Sequence, residues 1–357
     1  MKKLRMAVVG VGALGRHHAR ILSELESVDL VAVADTRPEI GRDIAERCRT
    51  RWVADYHDIL GEVDAVSIVV PTCEHLSVAA DFLQRGLPVL LEKPLALNVE
   101  QGRILVKLAE SRQTILQVGH IERFNAATQA AWPLVHAPKY IRAERWSSYP
   151  FRSMDIGVVH DLMIHDIDLV LQMVNAPLRR VEAFGIGIMG AHEDAVQARL
   201  FFENGCIADL SASRINPSPR RAMQVWSADG CVSIDFSNGE VIAYNHSDLL
   251  RYGTSPVERA RQPGADIEQL KRDVFGTFIK LHRPVVEPQD ALTAELRSFI
   301  DCVVEKKTPL VDGAQALQAM MVAGEVLDSV AAHQWDGHAA GAIGPFARTL
   351  ERRKLAG

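Results

Sequence analysis

The sequence predicts an α/β domain built on a doubly wound parallel sheet, followed by an α+β domain with an open, mainly antiparallel sheet. A glycine-rich turn joins an apolar strand to a helix near the start of the chain, and strands and helices then alternate over the first 120 residues. After about residue 124 the pattern changes to long alternating strands joined by hairpin signals. We therefore expect a first domain over residues 1–122, a second over 123–335 and a flexible tail over 336–357.

The glycine-rich turn follows the apolar run Leu4–Val9 and precedes a predicted helix, Arg16–Leu25. Gly10 allows the tight turn, Gly12 lets the backbone approach a pyrophosphate, and Gly15 lets the helix pack closely on the strand. The helix N-terminus also offers unpaired N–H groups to phosphate oxygens. The turn therefore predicts the dinucleotide cradle of a Rossmann domain. The cofactor contacts expected from it are Gly10, Gly12, Ala13, Leu14 and Gly15.

An aspartate, Asp35, lies twenty residues after Gly15 and ends a second apolar run, Leu30–Ala34. Its carboxylate is expected to accept hydrogen bonds from the ribose hydroxyls, which favours NAD over NADP. Arg37 could instead partner a 2′-phosphate, so NADP stays open as an alternative cofactor, and a ligand-free glycine turn is the structural alternative. Further cofactor contacts are expected near the strand ends at Thr36, Arg37, Pro71, His75 and Glu92.

The remaining elements of the first domain follow the same rhythm of buried strand and amphipathic helix, which is typical of right-handed βαβ units. The predicted strands are Val63–Val70, Val89–Leu91 and Thr114–Val118, and the predicted helices are Ser77–Gln84 and Val99–Ser111.

The second domain contains three Asn-Gly or Asp-Gly pairs between strand-like runs, at positions 204–205, 229–230 and 238–239. Strict alternation over residues 196–203 and 232–236 predicts a sheet with one covered face. A partner subunit is the expected cover of the other face, giving a homodimer or homotetramer. The other predicted segments are a helix at Val158–Val174, a surface loop at Gly253–Gly264, and closing helices at Ala291–Val304 and Ala314–His333.

Composition argues against several classes of partner. The 357-residue chain has a formal net charge of −5 and no basic patch interleaved with aromatic residues, so we expect no nucleic-acid partner. Its five cysteines are scattered without a Cys-x-x-Cys pair, which indicates neither a disulfide framework nor a thiolate metal site. No apolar run has membrane-spanning length, and Arg5 interrupts the first one, unlike a signal peptide. We therefore expect a cytoplasmic protein without a membrane partner.

A lysine follows the predicted strand Val89–Leu91 in the triplet Glu92-Lys93-Pro94. Ligands of doubly wound sheets bind beyond the carboxyl ends of the strands, so Lys93 is expected in the crevice that holds the nicotinamide. There its ammonium can hydrogen-bond a substrate hydroxyl, stabilise alkoxide character or carry the proton. A solvated lysine beside its own glutamate is the alternative.

A run rich in histidine and aspartate lies on the predicted helix Val158–Val174. Asp161, His165 and Asp168 are four and three residues apart and share a face of such a helix. An imidazole supported by a carboxylate can act as an oriented general base, so His165 is the candidate to take a hydroxyl proton. A divalent-metal site is an alternative, but His160 and His165 are five apart, and we predict no metal. A polar helix face exposed to water is the other alternative.

These motifs together resemble the Gfo/Idh/MocA oxidoreductases. The resemblance rests on the glycine-rich head, the Glu-Lys-Pro triplet at 92–94 and the Asp-x-x-x-His-x-x-Asp motif that begins at Asp161, and it extends from residue 5 to about 335. It implies a nicotinamide-dependent dehydrogenase in which Lys93, Asp161 and His165 are catalytic. The family usually has glycine where this chain has Met163, which implies a reshaped pocket but no lost catalytic group.

A narrower resemblance is to the branch of that family that contains the UDP-N-acetylglucosamine 3-dehydrogenases, which oxidise the sugar 3-hydroxyl to a ketone on the way to diamino-sugar lipid A. It rests on residues 119–125, 155–161, 165–168 and 212–214. It implies a UDP-sugar as the substrate. A diphosphate also needs cationic or amide donors. The predicted substrate contacts are Arg123, Asn125, Arg152 and Arg214.

The predicted function is an NAD-dependent dehydrogenase that oxidises a secondary sugar hydroxyl. An inositol or other polyol dehydrogenase is an alternative within the same family, since an uncharged polyol needs fewer arginines. A non-catalytic NAD-binding regulator is a further alternative, and the presence of Lys93, Asp161 and His165 argues against it.

Overall fold

The computed structural model describes residues 3–151, 156–190, 192–333 and 335. The chain divides into two compact units. The first contains the described residues up to Phe124 together with Gln289–Gly324, and the second contains Asn125–Pro288 and the described residues from Glu325 onward. The grouping of Gln289–Gly324 with the amino-terminal residues does not follow from the order of elements along the chain. The predicted tail 336–357 and the predicted substrate contact Arg152 lie outside the described residues.

The first unit contains a six-stranded parallel sheet in the order β3-β2-β1-β4-β5-β6. Its strands are β1 (Leu4–Val9), β2 (Val28–Ala34), β3 (Arg51–Val53), β4 (Ala65–Ile68), β5 (Val89–Glu92) and β6 (Leu116–Gly119). Because the strand order reverses between β1 and β4, the carboxyl ends of these strands flank the switch point at which such sheets bind ligands. The predicted doubly wound parallel sheet is confirmed.

Helices flank this sheet because each has an apolar stripe that is buried on packing. Those in the amino-terminal part are α1 (Gly15–Glu24), α2 (Pro38–Arg47), α3 (His75–Gln84) and α4 (Val99–Ser111). The core cluster joins Met6, Val8 and Leu22 to Leu292 and Phe299, so residues from the far end of the chain complete it.

The second unit contains an eight-stranded sheet in the order β14-β13-β12-β11-β7-β10-β9-β8. One pair, β7 with β10, is parallel and the other six are antiparallel, which confirms the predicted open, mainly antiparallel sheet. Its strands are β7 (Tyr140–Trp146), β8 (Leu178–Ile186), β9 (Ala195–Phe202), β10 (Ile207–Ser213), β11 (Arg220–Ser227), β12 (Gly230–Asp235), β13 (Glu240–His246) and β14 (Ile279–His282). All three predicted Asn-Gly or Asp-Gly pairs join neighbouring strands of this sheet.

The later helices include three that were not predicted, and two predicted segments differ from the structure. The helices are α5 (Ala126–Ala131), α6 (Ile164–Val174), α7 (Asp248–Tyr252), α8 (Pro256–Ala260), α9 (Ile267–Arg272), α10 (Ala291–Glu305) and α11 (Gly313–Ala332). The three that were not predicted are α5, α7 and α9. The loop predicted at Gly253–Gly264 was wrong in its middle, where Pro256 occupies the first turn of α8 and Ser255 and Glu258 form a capping box. The helix predicted at Val158–Val174 begins with a π turn, Val159–Met163, before α6.

None of the helices in the described part of the chain is both long enough and apolar enough to cross a bilayer.

Candidate active site

The glycine-rich turn after β1 has the geometry that a dinucleotide cradle requires. Gly10 has a φ of +85°, and a Cβ there would lie 2.6 Å from the carbonyl oxygen of Val69. A Cβ on Gly15 would lie 1.9 Å from the carbonyl oxygen of Gly10. Neither position admits a side chain, so the helix N-terminus stays close to the strand and its free N–H groups remain open to phosphate oxygens. The residues therefore fit a bound dinucleotide.

Asp35 lies at the carboxyl end of β2 with its side chain already hydrogen-bonded. Its Oδ2 accepts from the backbone N–H of Val11 at 3.0 Å, and its two oxygens accept from Nε and Nη2 of Arg37, both at 3.0 Å. Burial acts to raise the pKa of Asp35, but the bonds from Arg37 and Val11 outweigh it and lower that pKa. Arg37 also approaches the open side of Gly12, where a Cβ would lie 3.3 Å from Nη2. Arg37 and Asp35 thus lie together beside the glycine-rich turn.

The other predicted cofactor contacts differ in exposure. Ala13, Leu14, Thr36 and Pro71 are exposed near the strand ends, whereas His75 is buried. The ring nitrogens of His75 lie 2.9 Å from the carbonyl oxygen of Pro94 and 3.1 Å from that of Val70. Burial lowers the pKa of His75. The imidazole therefore ties the loop after β5 to the loop after β4.

Lys93 follows β5 directly and is half-buried, and the peptide bond to Pro94 is cis. Its backbone N–H donates to Oε2 of Glu92 at 3.2 Å. The other oxygen of Glu92 lies 3.2 Å from Nε2 of His18, and Nδ1 of His18 lies 2.9 Å from Oγ of Ser67. The side chain of His18 is fully buried inside the first unit. Glu92, which directly precedes Lys93 in the chain, is therefore held in place by its neighbours.

The histidine-rich segment of the second unit is buried on almost all sides. Asp161 is 6 % exposed and Asp168 1 %, while His165 is half-buried. The alternative of a water-exposed polar face is therefore wrong. Because Asp161 lies in the π turn, its spacing to His165 does not have the α-helical geometry that the prediction assumed, and π turns are frequent at functional sites.

Two buried ion pairs hold the surroundings of this segment. Arg145 on β7 donates to Asp166 on α6 through Nε at 3.0 Å and Nη2 at 2.8 Å. Arg214 donates through Nε to Asp194 at 2.8 Å and through Nη1 to the carbonyl oxygen of Ile156 at 2.8 Å. Asp194 also accepts the backbone N–H groups of Ile188 and Met189, each at 2.7 Å. These bidentate and multiple bonds fix the chain on both sides of the π turn.

The predicted substrate contacts have structural partners of their own. Arg214 is 2 % exposed in the ion pair above, and Arg123 is 3 % exposed on the 3₁₀ turn Ile121–Phe124. Asn125 caps α5 by accepting the backbone N–H of Ala127 at 2.9 Å. Sequence reasoning missed Asp194 and the buried Glu295 on α10; the available signal for Glu295 was a glutamate within an apolar helix stripe.

Among the residues that the structure describes, no three histidine, cysteine or carboxylate side chains are arranged so that they could hold a metal ion. The metal alternative drawn from His160, His165 and their neighbouring aspartates thus has no geometric support there.

The chain belongs to the Gfo/Idh/MocA oxidoreductase family. The family model described as "Oxidoreductase family, NAD-binding Rossmann fold" matches residues 4–120, and the model of the GFO/IDH/MocA C-terminal domain matches residues 116–240. The predicted family and the nicotinamide-binding class of enzyme are confirmed.

Among similar proteins is the UDP-N-acetylglucosamine 3-dehydrogenase of Acidithiobacillus ferrooxidans, 33 % identical over 93 % of this chain and 99 % of that protein. A solved structure of that enzyme, covering 92 % of this chain and 98 % of its own, superposes with a TM-score of 0.81. The scyllo-inositol 2-dehydrogenase (NAD⁺) of Bacillus subtilis is 25 % identical over 88 % of this chain and 90 % of its own length.

Proposed function

We propose that this chain is an NAD-dependent dehydrogenase that oxidises C3 of UDP-N-acetylglucosamine to the 3-keto sugar, a step in the synthesis of amino sugars for lipid A or a surface polysaccharide. The observation that carries the proposal is the end-to-end similarity to the Acidithiobacillus ferrooxidans enzyme, which leaves no large segment of either chain unmatched. The cradle formed by Gly10 and Gly15 and the carboxylate of Asp35 support the cofactor half of the proposal.

We assign the chemical steps to three side chains. When bound, NAD supplies the acceptor for the hydride that leaves the carbinol carbon. Lys93 hydrogen-bonds the substrate hydroxyl and stabilises its alkoxide character as the hydride leaves. His165 takes the hydroxyl proton or relays it, and Asp161 orients the imidazole. Burial of Asp161 supports an orienting role, because a carboxylate that is shielded from water holds its partner in one geometry.

For substrate binding we propose direct and indirect contributions. Arg123, Asn125 and Arg152 remain candidates for the diphosphate. Arg214 is held on Asp194 and on the carbonyl oxygen of Ile156, and these bonds favour a role in shaping the segment that precedes the π turn. Its loss would then change substrate binding through that segment.

For the cofactor we propose NAD as the preferred dinucleotide, with residual use of NADP. Asp35 supports NAD because a carboxylate repels a 2′-phosphate. The guanidinium of Arg37, within hydrogen-bond distance of Asp35, offsets part of this repulsion.

We also propose a homodimer or homotetramer. The apolar side chains of Phe184, Trp226 and Leu281 are 41 %, 46 % and 39 % exposed. Strand register places them on the face of the eight-stranded sheet opposite to α6. Light scattering on the purified protein should give twice or four times the 39.4 kDa chain mass, and a monomer at micromolar concentration would contradict the proposal.

The decisive experiment follows reduced nicotinamide by absorbance with the purified chain, NAD and UDP-N-acetylglucosamine. Lys93→Met should lower kcat by roughly 10²–10⁴-fold while NAD still binds, because only the interaction with the reacting oxygen is removed. Lys107→Met, an exposed lysine on α4, is the matched control and should keep full activity. Full turnover in Lys93→Met would refute the assignment of Lys93.

The alternative of an inositol dehydrogenase is favoured by the Bacillus subtilis relative. A panel of UDP-N-acetylglucosamine, free N-acetylglucosamine, myo-inositol and scyllo-inositol separates the two. The proposal requires the nucleotide sugar to have the highest kcat/KM and the product to be a ketone at C3 by NMR. A higher kcat/KM for either inositol would replace the proposed substrate.

A further inference from the structure

A glutamate is buried in the core of the first unit, on the face of α10 that packs against the sheet. Leu292, Leu296 and Phe299 of this helix belong to the core cluster, and Glu295 lies among them with no solvent-exposed area. Neither carboxyl oxygen of Glu295 has a hydrogen-bond partner among the residues that the structure describes. Burying an ionised carboxylate in this way is strongly unfavourable, so the side chain requires an explanation.

The sheet face beneath α10 carries polar side chains from β5 and β6. Leu90 on β5 pairs with Gln117 on β6, and Glu92 pairs with Gly119, so all four positions point to the same face. The side-chain Nε2 of Gln117 donates to the backbone carbonyl of Glu295 at 3.3 Å, which fixes the helix over this row. Gly119 leaves room for Glu92, because a Cβ there would lie 2.9 Å from Oε2 of Glu92.

The charged and titratable groups facing this site come from three neighbouring elements. On α1 the buried one is His18, whose Nε2 lies 3.2 Å from Oε1 of Glu92, whereas Arg16, Arg20 and Glu24 are exposed. The loop and 3₁₀ turn after β6 carry His120, Glu122 and Arg123, all buried and all with partners of their own. After β5 the backbone N–H of Lys93 is bonded to Glu92. Of these groups, Glu92 is the one whose charge acts on Glu295.

Two neighbouring carboxyl groups in a dry environment cannot both ionise, and their surroundings decide which one keeps the proton. Burial acts to raise the pKa of Glu92, but the hydrogen bond and charge of His18, with the charge and backbone N–H of Lys93, outweigh it and lower that pKa. Burial, and then the negative charge of Glu92, raise the pKa of Glu295 well above its ordinary value. Glu92 is therefore the charged member and Glu295 the protonated one.

We propose that Glu92 and Glu295 form a buried carboxyl pair that holds a single proton. In this proposal Glu295 is a positioning residue, because its protonation state sets the total negative charge of the pair next to Lys93. The second half of this proposal rests on the proposed role of Lys93 in catalysis. With Glu295 neutral, a single negative charge lies behind the lysine. Ionisation of Glu295 at higher pH places a second negative charge there, which opposes the negative charge that develops on the substrate oxygen bonded by Lys93.

The first test is the pH dependence of thermal stability in Glu295→Gln, which mimics the protonated carboxyl in size and charge. The folded wild type binds the Glu295 proton more tightly than the unfolded chain, so its stability falls as pH rises from the unfolded pKa towards the folded one. The glutamine variant has no proton to lose at this position and therefore lacks this pH-dependent loss of stability. Its Tm should therefore exceed that of the wild type by a margin that grows between pH 5 and pH 8, reaching at least about 2 °C.

Glu305→Gln is the matched control, since Glu305 lies on the same helix with its side chain exposed. Its Tm difference from the wild type should not grow with pH. A Glu295→Gln margin that is equally flat would overturn the carboxyl pair. If this variant fails to fold, the infrared spectrum of the wild type at pH 7 decides: a protonated-carboxyl band supports the pair and its absence overturns it.

The second test is the pH profile of kcat, which a merely structural role would not move. In the wild type kcat should fall at high pH as Glu295 ionises, and in Glu295→Gln this falling limb should be absent or shifted to higher pH, because the second negative charge cannot form. An unshifted limb beside a growing Tm margin would leave the pair but overturn its control of Lys93. Absence of turnover on every sugar and inositol tested in the wild type would contradict the proposed function, and the Tm result would still decide the pair.

Discussion

Each of the two units contains a different kind of buried charged side chain. In the second unit Arg145 with Asp166 and Arg214 with Asp194 form ion pairs whose hydrogen bonds are short and multiple. In the first unit Glu295 is buried with no hydrogen-bond partner for its carboxyl oxygens among the described residues, and Asp35 and Lys93 lie at strand ends that flank the ligand crevice. The comparison indicates that these two ion pairs fix the shape of the second unit, whereas the buried carboxyl of Glu295 in the first unit has no such hydrogen bonds to hold it.

The largest effect is expected from breaking a buried pair of the second unit. Asp194→Asn removes the negative charge from beside Arg214 and weakens acceptance from the N–H groups of Ile188 and Met189. Removing one partner of such a pair typically costs about 3–5 kcal/mol, because the other charge stays buried and uncompensated. Urea denaturation should show this loss of unfolding free energy.

Asp209→Asn is the control for that variant, because Asp209 pairs with Arg199 on the exposed part of the same sheet. It should leave the urea midpoint nearly unchanged. Equal losses of unfolding free energy in Asp194→Asn and Asp209→Asn would contradict the prediction that burial makes the Asp194 pair the more important one.

A smaller effect is expected from filling the cradle of the first unit. Gly15→Ala places a Cβ 1.9 Å from the carbonyl oxygen of Gly10, so the helix must move away from the strand. Overpacking of this kind costs about 1–3 kcal/mol. Calorimetry should also show weaker NAD binding, since the displaced helix carries the N–H groups that face the pyrophosphate.

Gly324→Ala on α11 should change stability in the opposite direction to Gly15→Ala. A Cβ there meets no atom within 4 Å, and alanine favours helix by about 1 kcal/mol over glycine. We expect a raised Tm and unchanged NAD affinity. A destabilised Gly324→Ala would show that crowding is not what distinguishes the two glycines.

The smallest effect on stability is expected from substituting Arg37 beside Asp35, where the cofactor preference should change and the stability should not. Arg37→Ala removes a half-exposed guanidinium from Asp35 and should raise the preference for NAD over NADP, in kcat/KM, by about tenfold, equivalent to about 1.4 kcal/mol. Asp35→Asn should lower the same ratio. Arg42→Ala, an arginine of α2 that stacks on Trp52, is the control and should leave the ratio unchanged.

Sequence patterns predicted the elements whose burial is regular. The bounds of β1 and α4 match the prediction because a short, mainly apolar run and a 3.6-residue period each define their element locally. In contrast, α2 and β3 were not predicted, since β3 has only three partly exposed residues and carries no periodic signal. The π turn was missed for a related reason: a helix with one extra residue in a turn has the same composition as one without it.

The sequence allowed prediction of those candidate site residues that directly follow a strand of the parallel sheet. Lys93 and Asp35 follow strands directly, and parallel strands present such residues at one edge. Glu295 and Asp194 could not be found in this way, because their significance depends on partners that the fold brings from other elements. For Glu295 those partners lie about two hundred residues earlier in the chain, on β5 and β6.

The return of Gln289–Gly324 to the first unit has a consequence for how the protein is made. Leu292 and Phe299 complete the core around Met6 and Leu22, and α10 is bonded to the sheet through Gln117. A ribosome therefore synthesises the Asn125–Pro288 part of the second unit before the first unit can complete its core. A fragment that stops at Phe124 would keep an open apolar flank and aggregate, so a minimal NAD-binding protein must join residues 3–124 to 289–324 through a linker.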